Sequence, residues 1–437
     1  MGPFKILFNL FTKYFQTDIL KVFTYTSLST IVKMFTGFIS VKVVAIIIGP
    51  SGIALLGQLY SFSAIALTLA SGGINLGITK YISEYKDDDS ELRNLMSSAF
   101  KITLFSSLVC GLLMLIFNSY LSKKIFLTSE YNFVFIVFGF SVILYAFNMM
   151  LLSILNGYKD FKNFVKINIA NSIIGLGLTL ISVFIFGLKG ALVAAISYQS
   201  VMFFVTIWML RDYQWLDRMY FFGVVKSKIL KQYFHYSLMA ITSAATVPIA
   251  QILIRGYVIK NLSIEDAGYW EAMNQLSNMY LMVIISSLSI YFLPTLARLK
   301  NKLELKKEIL KVYKVIMPLL FIGLGLVFLF RNIIINLVFS KEFMPMSDLF
   351  IWQLVADFFK IAGWILAFNM LAKSMTIAFI STEIIFSSIF IINSYLLVNL
   401  GGSVIGVTQA YLINKVLYFI LMLIIFRKTL WQKKNIL

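Results

Sequence analysis

The stretch that decides the fold is IVKMFTGFISVKVVAIIIGPSGIALLGQLYSFSAIALTLA, residues 31–70. It consists of two long apolar runs separated by the short sequence GPSG, and its only charged residues are Lys33 and Lys42. A helix needs about 20 consecutive apolar residues to cross a bilayer, and each run is long enough. Inside lipid every backbone polar group must be bonded within its own segment, which favours helices. The stretch therefore predicts two membrane-spanning helices joined by a tight turn.

The rest of the chain repeats this pattern. Of its 437 residues, 60% are hydrophobic and only 13% are charged, a composition that is not that of a soluble domain. The long apolar runs exclude a transmembrane β-barrel, whose strands alternate over short segments. We predict an all-α polytopic membrane protein with twelve transmembrane helices. The predicted spans are residues 21–48, 54–79, 94–118, 131–155, 164–187, 190–210, 233–258, 270–293, 310–330, 347–371, 375–398 and 403–426.

The two halves of the chain resemble each other at an offset of about 216 residues. SGIALLGQL (51–59) matches AGYWEAMNQL (267–276), and GALVAAISY (190–198) resembles GSVIGVTQAY (402–411). Six spans in each half give two parallel repeats, an arrangement typical of alternating-access transporters with a central cavity. The predicted domains are an N-terminal six-helix bundle (1–210), a cytoplasmic linker (211–231) and a C-terminal six-helix bundle (232–437).

The basic residues fall in alternate connections between the spans. Twenty-seven lysines and arginines lie on the side that carries both termini, and six lie on the other side. The positive-inside rule therefore places both termini in the cytoplasm. The net charge of +19 follows from this topology and does not indicate nucleic-acid binding. The first 21 residues form a basic amphipathic stretch that we expect to lie at the membrane interface and not to be a cleaved signal peptide.

Five basic residues lie inside predicted spans away from their cytoplasmic ends, namely Lys33, Lys42, Arg255, Lys360 and Lys415. A cation at the centre of a span costs about 2.5–3.5 kcal/mol, so such residues usually face a polar interior. This cationic interior indicates that the protein handles an anion at membrane depth. For Lys42 and Arg255, near the outer ends of repeat-related spans, the alternative is that the side chain reaches the interface.

Three acidic residues are candidates for ion coupling or charge pairing. Asp357 and Lys360 are three residues apart on one helix face and can pair, and Glu383 can pair across helices. Glu271 begins a span, where it fits the helix dipole as well as a site. A carboxyl group in such a position can titrate during a transport cycle, which would suit proton coupling. The predicted helix-bending positions are Pro248, Gly72 and Gly73.

The sequence argues against several classes of protein. A single cysteine and a single histidine exclude a disulfide framework and a Cys/His zinc site. The chain contains no phosphate-binding loop, no Asp-rich outer loop and no nucleophile-elbow motif. We therefore predict a transporter that is not an enzyme and has no metal or cofactor.

Three segments resemble one known family. They are IGPSGIALLGQL (48–59), SIYFLPTLARL (289–299) and VFSKEFMPMSDLFIWQLVADFFKIAGWILAF (338–368). They are similar to the Wzx-type flippases of lipid-linked oligosaccharides, which include O-antigen translocases and the lipid III flippases of enterobacterial common antigen. This family belongs to the MOP superfamily, together with multidrug antiporters.

The resemblance implies a fold of the MOP type and a location in the bacterial inner membrane. It implies that the substrate, an undecaprenyl-diphosphate-linked oligosaccharide, is flipped from the cytoplasmic to the periplasmic leaflet with proton or sodium coupling. The five basic residues named above would then bind the pyrophosphate, since Lys and Arg form strong charge-assisted bonds with phosphate. A polysaccharide polymerase and a chain-length regulator would be pathway partners.

Two alternatives stay open from the sequence. The first is a multidrug or small-cation antiporter of the same superfamily, but basic residues outnumber acidic ones inside the spans. The second is an O-antigen polymerase or membrane glycosyltransferase. Against it, the first outer connection is only IGPSG, which leaves no room for an outer catalytic loop.

Overall fold

The computed structural model describes residues 18–223, 227–288, 292–299, 301–373 and 375–430. Every regular element in these ranges is helical. The α-helices are α1 (Asp18–Ala70), α2 (Asn75–Tyr85), α3 (Asp89–Ile116), α4 (Asn118–Ile125), α5 (Asn132–Gly157), α6 (Phe161–Leu210), α7 (Ser227–Asn261), α8 (Ile264–Ser287), α9 (Leu293–Arg298), α10 (Lys302–Leu329), α11 (Arg331–Val338), α12 (Phe350–Ala372), α13 (Thr376–Gly401), α14 (Ile405–Ile425) and α15 (Arg427–Leu430). Short 3-10 segments lie at Gln214–Leu216, Arg218–Tyr220 and Lys341–Leu349.

In the described residues each of the twelve predicted spans falls mainly on one of these helices, and residues 289–291 of the span 270–293 lie outside the described residues. Within the described ranges, nine helices are long and apolar enough to cross a bilayer, and two of them, α1 and α6, contain two predicted spans each. The remaining span is α8, which is less apolar because its first turns carry Glu265, Asp266 and Glu271. The prediction of an all-α polytopic membrane protein is confirmed. The predicted interfacial stretch lies outside the described residues up to residue 17.

Single glycines break the longest helices where the sequence predicted short turns. Gly49 in α1 has φ 62° and Gly187 in α6 has φ 55°, a left-handed conformation that glycine adopts without steric cost. The span predicted over residues 54–79 is also interrupted, because α1 ends at Ala70 and α2 begins at Asn75. Gly72 and Gly73, two of the predicted bending positions, lie in this break. Helix α7, by contrast, continues through Pro248.

The chain packs as two compact units. The N-terminal unit comprises residues up to 40, 66–123 and 128–241, and the C-terminal unit comprises residues 41–65, 124–127 and 242 onward. The part of α1 around Gly49 therefore packs with the second half of the sequence. The predicted bundle boundaries (1–210 and 232–437) and linker (211–231) stay a prediction, because packing units in one conformation do not test a repeat boundary.

The core of the N-terminal unit lies between α2, α3, α5 and α6. Fully buried aliphatic side chains such as Ile78, Leu95 and Ile154 fill it. In the C-terminal unit α12 is the central helix, and it packs against α9, α10 and α14. Helix α13 packs on α14 and completes this arrangement.

The first part of the predicted linker is folded onto the N-terminal unit. Trp215 is buried and stacks on Tyr158, with their ring centroids 5.8 Å apart. Tyr213 and Asn163 donate hydrogen bonds to the carboxylate of Asp160. Partial burial alone would raise the pKa of this carboxyl, but the hydrogen bonds outweigh it and hold the pKa below its ordinary value.

Replacing Asp160 by asparagine is expected to weaken the docking of this linker by about 1 kcal/mol, a charged hydrogen bond reduced by partial exposure. Because the pKa of Asp160 is lowered in the folded protein, its contribution to docking is complete above the ordinary carboxyl pKa of about 3.9. This contribution is lost as the pH falls through the pKa of the folded state. The difference in fluorescence between the parent protein and its Trp215→Phe variant, followed as the pH is lowered, measures the release of the linker from the N-terminal unit. An unchanged acid transition in Asp160→Asn would contradict the assignment.

Candidate functional site

The C-terminal unit contains a cavity of about 200 Å³. Side chains from α7, α8, α12, α13 and α14 line it, and all five helices carry predicted spans. The lining includes Lys360, Lys415 and Glu383, three of the charged residues that the sequence placed inside spans. We call this space the lysine cavity.

The two lysines of this cavity contact aromatic rings. The Lys360 ammonium lies 5.8 Å from the ring centroid of Trp364, and the Lys415 ammonium lies 5.1 Å from that of Tyr411. These are cation–π distances. In the part of the chain that the structure describes, neither lysine has a carboxylate oxygen within 4 Å. Glu383 interacts with Lys415 only over a longer distance. Both ammonium groups are therefore available to an anion.

Asp357 is fully buried beside the cavity. Its carboxylate accepts hydrogen bonds from Ser277 at 2.6 Å and from Tyr280, and a longer one from Gln353 at 3.4 Å. The sequence predicted that Asp357 can pair with Lys360, three residues away. In the described residues these two form no ion pair within 4 Å, because hydroxyl groups of α8 hold the carboxylate and Lys360 lies over Trp364. Their opposite charges still attract each other over a longer distance.

Two amide side chains of the lining have unused hydrogen-bonding atoms. Gln353 is 1% exposed, and its Oε1 has no donor among the described residues. The Nδ2 of Asn274 is buried and lacks an acceptor in the same ranges. Buried polar atoms are normally satisfied by protein or by ordered water, so this acceptor and this donor each leave one hydrogen bond to be completed.

Arg255 lies in a buried cluster at the edge of this cavity. It is 1% exposed, forms an ion pair with Glu271, and donates to Oε1 of Gln58 at 3.2 Å. Its guanidinium lies 5.4 Å from the ring centroid of Trp270, which also lines the lysine cavity. We call Arg255, Glu271, Gln58 and Trp270 the Arg255 cluster. Its positive charge is neutralised inside the protein in this structure.

The two halves of the sequence repeat meet at the Arg255 cluster. Gln58 belongs to SGIALLGQL and Glu271 to AGYWEAMNQL. Glycines allow the close approach: a Cβ on Gly57 would lie 2.5 Å from Cδ of Glu271, and one on Gly268 would lie 2.0 Å from the carbonyl oxygen of Pro50. Packing thus requires glycine at position 57 and at position 268, the latter in the small pair that begins the second half of the repeat.

Replacing Gly268 by alanine is expected to lower the free energy of unfolding by about 1–3 kcal/mol. The added methyl group meets the backbone of Pro50, which cannot rotate away as a side chain could. Gly323→Ala in α10 is the matched control, since a Cβ there has nothing within 4 Å. That variant should be neutral or gain up to about 1 kcal/mol from helix propensity. Thermal unfolding in detergent followed by circular dichroism measures both. Equal losses in the two variants would contradict this account.

The remaining basic residues named from the sequence lie elsewhere. Lys42 donates to the backbone carbonyls of Asn336 and Phe339 at the C-terminal end of α11. Unsatisfied carbonyls at a helix end attract cations, so Lys42 acts as a helix cap in this structure. Lys33 belongs to the N-terminal unit, and its side chain is exposed.

Sequence reasoning missed the uncharged members of both clusters. Gln58 and Trp270 support Arg255, and Asn274, Gln353 and Tyr411 line the cavity. The available signal was the pairing of amides with charges in apolar spans, as in Gln353 four residues before Asp357. In the described residues no group of three or more His, Cys, Asp or Glu side chains could hold a metal ion.

The sequence has relatives over almost its whole length. Residues 19–300 match the family described as polysaccharide biosynthesis protein. Over 414 residues the chain is 27% identical to the lipid III flippase of Escherichia coli K12, and that alignment covers 95% of this chain and 99% of the relative. The lipid III flippase of Shigella flexneri matches with the same identity and coverage.

Solved structures of MOP-superfamily transporters share the fold. An inward-facing multidrug resistance transporter of the MATE family has a TM-score of 0.73 at 15% identity, covering 92% of this chain and 98% of its own. A MOP-superfamily transporter from Pyrococcus furiosus, described as having a binding pocket of reversed polarity, has a TM-score of 0.67 at 15% identity, covering 95% and 97%. At these identities the likeness establishes the fold, as the sequence predicted.

Proposed function

The chain belongs to the polysaccharide biosynthesis protein family, and on this premise we propose that it flips a lipid-linked oligosaccharide across a membrane. The proposed substrate is an undecaprenyl-diphosphate-linked oligosaccharide, such as a repeat unit of O-antigen or of enterobacterial common antigen. The proposed direction is from the cytoplasmic to the periplasmic leaflet. The relatives that match over nearly the full length are named flippases, which supports a transporter and not an enzyme.

The observation that carries this proposal is the lysine cavity. Lys360 and Lys415 place two positive charges among membrane-crossing helices without a carboxylate within 4 Å in the described residues. Cations at membrane depth are costly, and those that face a cavity commonly mark the path of a substrate or ion. A lipid-linked oligosaccharide has an anionic headgroup and an apolar tail. The lysines offset the cost of dehydrating the headgroup while the tail stays in lipid.

The five basic residues contribute differently to this proposal. Lys360 and Lys415 are the proposed contacts of the headgroup, and the exposed Lys33 is a third candidate for the pyrophosphate. Lys42 and Arg255 bond to protein groups in this structure. For these two, contact with pyrophosphate requires that their present partners separate during the transport cycle.

We further propose an alternating-access cycle driven by a proton or sodium gradient. Glu383 and Asp357 are the proposed coupling residues, since Glu383 lines the cavity and Asp357 is buried next to it. Glu271 would take part only if it separates from Arg255. The proposed location is the bacterial inner membrane with both termini in the cytoplasm. A polysaccharide polymerase and a chain-length regulator are the proposed pathway partners.

Reconstitution into vesicles tests the function. Undecaprenyl-diphosphate oligosaccharide is incorporated with the purified protein, and a membrane-impermeant reagent measures how much headgroup becomes accessible with time. The protein should move label between leaflets faster than empty vesicles do, and an imposed proton or sodium gradient should change the rate. No movement with any of several glycans, with and without gradients, would contradict the proposal.

The multidrug antiporter is the second candidate, and the fold alone does not separate it from a flippase. The charges of the cavity favour the flippase, because organic cations would be repelled by Lys360 and Lys415. Efflux of cationic dyes from the same vesicles, without movement of the lipid, would favour the antiporter.

A further inference from the structure

We infer that a groove on the N-terminal unit binds an anionic phospholipid of the surrounding bilayer, with the phosphate at Lys231 and one acyl chain along α7. The groove lies between α3 and α7 and measures about 560 Å³, and we call it the α3–α7 groove. All of its lining residues belong to the N-terminal unit, and none of them lines the lysine cavity. They are Ile102, Leu230, Lys231, Tyr233, Phe234 and Ser237.

One face of α7 forms the long wall of this groove. Its lining residues run from Leu230 to Ser237 at spacings of three and four residues, and they extend about 10 Å along the helix. Leu230 is 42% exposed and Phe234 is 64% exposed, so the groove is open and its open surface is apolar. Because α7 carries a predicted span, the hydrocarbon chain of a lipid is the apolar neighbour available to this surface.

The hydroxyl groups of the wall already donate inside the N-terminal unit. Ser237 donates to the carbonyl oxygen of Gly72, and Tyr233, which is 1% exposed, donates to that of Leu95 at 3.4 Å. The backbones approach closely because a Cβ on Gly73 would lie only 3.0 Å from Cα of Ser237. In the described part of the lining no hydroxyl donor is thus left for a sugar, whereas an alkyl chain requires none.

A positive charge lies at one end of the groove. Lys231 is exposed, and none of the described lining residues is acidic. Among the described residues no carboxylate oxygen lies within 4 Å of its ammonium group. The exposed Lys101 immediately precedes Ile102 on α3, and it donates to the carbonyl oxygen of Gly223 at 3.0 Å, which leaves it two further N–H groups. Its charge adds to that of Lys231.

The order of charge and apolar surface along α7 matches the order within a phospholipid. Lys231 ends the predicted cytoplasmic linker, whereas Phe234 and Ser237 lie inside the predicted span 233–258. A phospholipid of the cytoplasmic leaflet likewise has its phosphate at the surface and its chains in the bilayer. Basic pockets between membrane-crossing helices on this side bind anionic lipid headgroups. The combination of one open apolar wall and an unpaired lysine at its surface end therefore selects an anionic phospholipid.

Binding of defined lipids tests the inference. Full-length protein in detergent micelles is titrated with phosphatidylglycerol or with phosphatidylcholine of the same acyl chains, and native mass spectrometry counts the bound lipids. We expect the first phosphatidylglycerol to bind about fivefold more tightly than phosphatidylcholine, since one lysine near a charged membrane surface contributes about 1 kcal/mol.

Three variants connect this preference to the groove. Lys231→Gln should remove it, and Lys162→Gln, which alters an exposed lysine in the first turn of α6, should leave it unchanged. Leu230→Gln should weaken both lipids and keep the preference, because it changes the apolar wall and not the charge. Phosphatidylglycerol with a photoreactive group on its acyl chain should label peptides of α3 and α7. Thermal unfolding verifies that each variant is folded.

The inference is overturned by equal binding of the two lipids, by a preference that persists in folded Lys231→Gln, or by labels confined to other helices. Competition distinguishes the sources of the phosphate. Inorganic phosphate should not displace the bound phospholipid, because it has no chain to fill the groove. Displacement by inorganic phosphate, or by undecaprenyl diphosphate at a lower concentration than the phospholipid, would assign the groove to another ligand and contradict the inference. These measurements do not depend on transport, so their outcome is separate from that of the proposed function.

Discussion

Replacing Arg255 by methionine is expected to lower the free energy of unfolding by about 3–5 kcal/mol, the cost of leaving one partner of a buried ion pair alone. Arg255 is 1% exposed and Glu271 is 7% exposed, so water cannot solvate the carboxylate that remains. Gln58 also loses the donor to its Oε1. Trp270 loses the guanidinium that lies over its ring. The change therefore affects at least three neighbours besides the residue replaced.

A double variant separates the ion pair from general packing. In Arg255→Met with Glu271→Met both charges are absent, and an apolar pair of similar volume is often neutral or stabilising by about 1–4 kcal/mol relative to a buried ion pair. The double variant should thus be more stable than Arg255→Met alone. Denaturant titration in detergent micelles, followed by far-UV circular dichroism, measures all four proteins. Additive losses in the double variant would show that the two charges are not coupled.

Replacing Lys360 and Lys415 by glutamine is expected to slow lipid movement about tenfold for each single variant and about a hundredfold for the pair. A hydrogen bond to a charged group contributes about 1.5–3 kcal/mol, and about 1.4 kcal/mol corresponds to a factor of ten. Glutamine keeps much of the length and polarity of lysine and removes its charge. The initial rate of lipid movement into the opposite leaflet of vesicles is measured for each variant and for the unchanged protein.

The matched control is Lys123→Gln, which removes an exposed lysine from α4, outside the cavity. Its rate should equal that of the unchanged protein. Unfolding temperatures identify any variant whose loss arises from misfolding. If folded Lys360→Gln and Lys415→Gln variants transport at the original rate, the cavity lysines do not bind the substrate.

The sequence predicted the helices well because the requirement for about 20 apolar residues is local. It placed short loops where single glycines, Gly49 and Gly187, in fact interrupt otherwise continuous helices. It also extended one span through Gly72 and Gly73, where α1 has already ended. Apolar composition is the same on both sides of such a break, so hydropathy cannot locate it. Only the glycines themselves indicate it.

The site was predicted in part. Lys360 and Lys415 were identified because a charge in an apolar span is costly whatever its neighbours are. The role of Lys42 could not be predicted, since its partners Asn336 and Phe339 lie about 300 residues away in sequence. The pairing of Arg255 with Glu271 joins two helices across a turn at a spacing of 16 residues, which follows no helical period.

The uncharged side chains of the lining were missed for a different reason. Asn274 and Gln353 are amides in apolar helices, where such residues often serve helix packing. Only the structure shows that both face one cavity with an unused polar atom each.

The central claim is that the substrate headgroup binds in the lysine cavity of the C-terminal unit. Photo-crosslinking tests it most directly, with a lipid-linked oligosaccharide that carries a photoreactive group on its sugar and with mass spectrometry of the labelled peptides. The account predicts labels on α12 and α14, near Lys360 and Lys415, and their loss in the Lys360→Gln, Lys415→Gln variant. Labels confined to other helices, and unchanged in that variant, would contradict it.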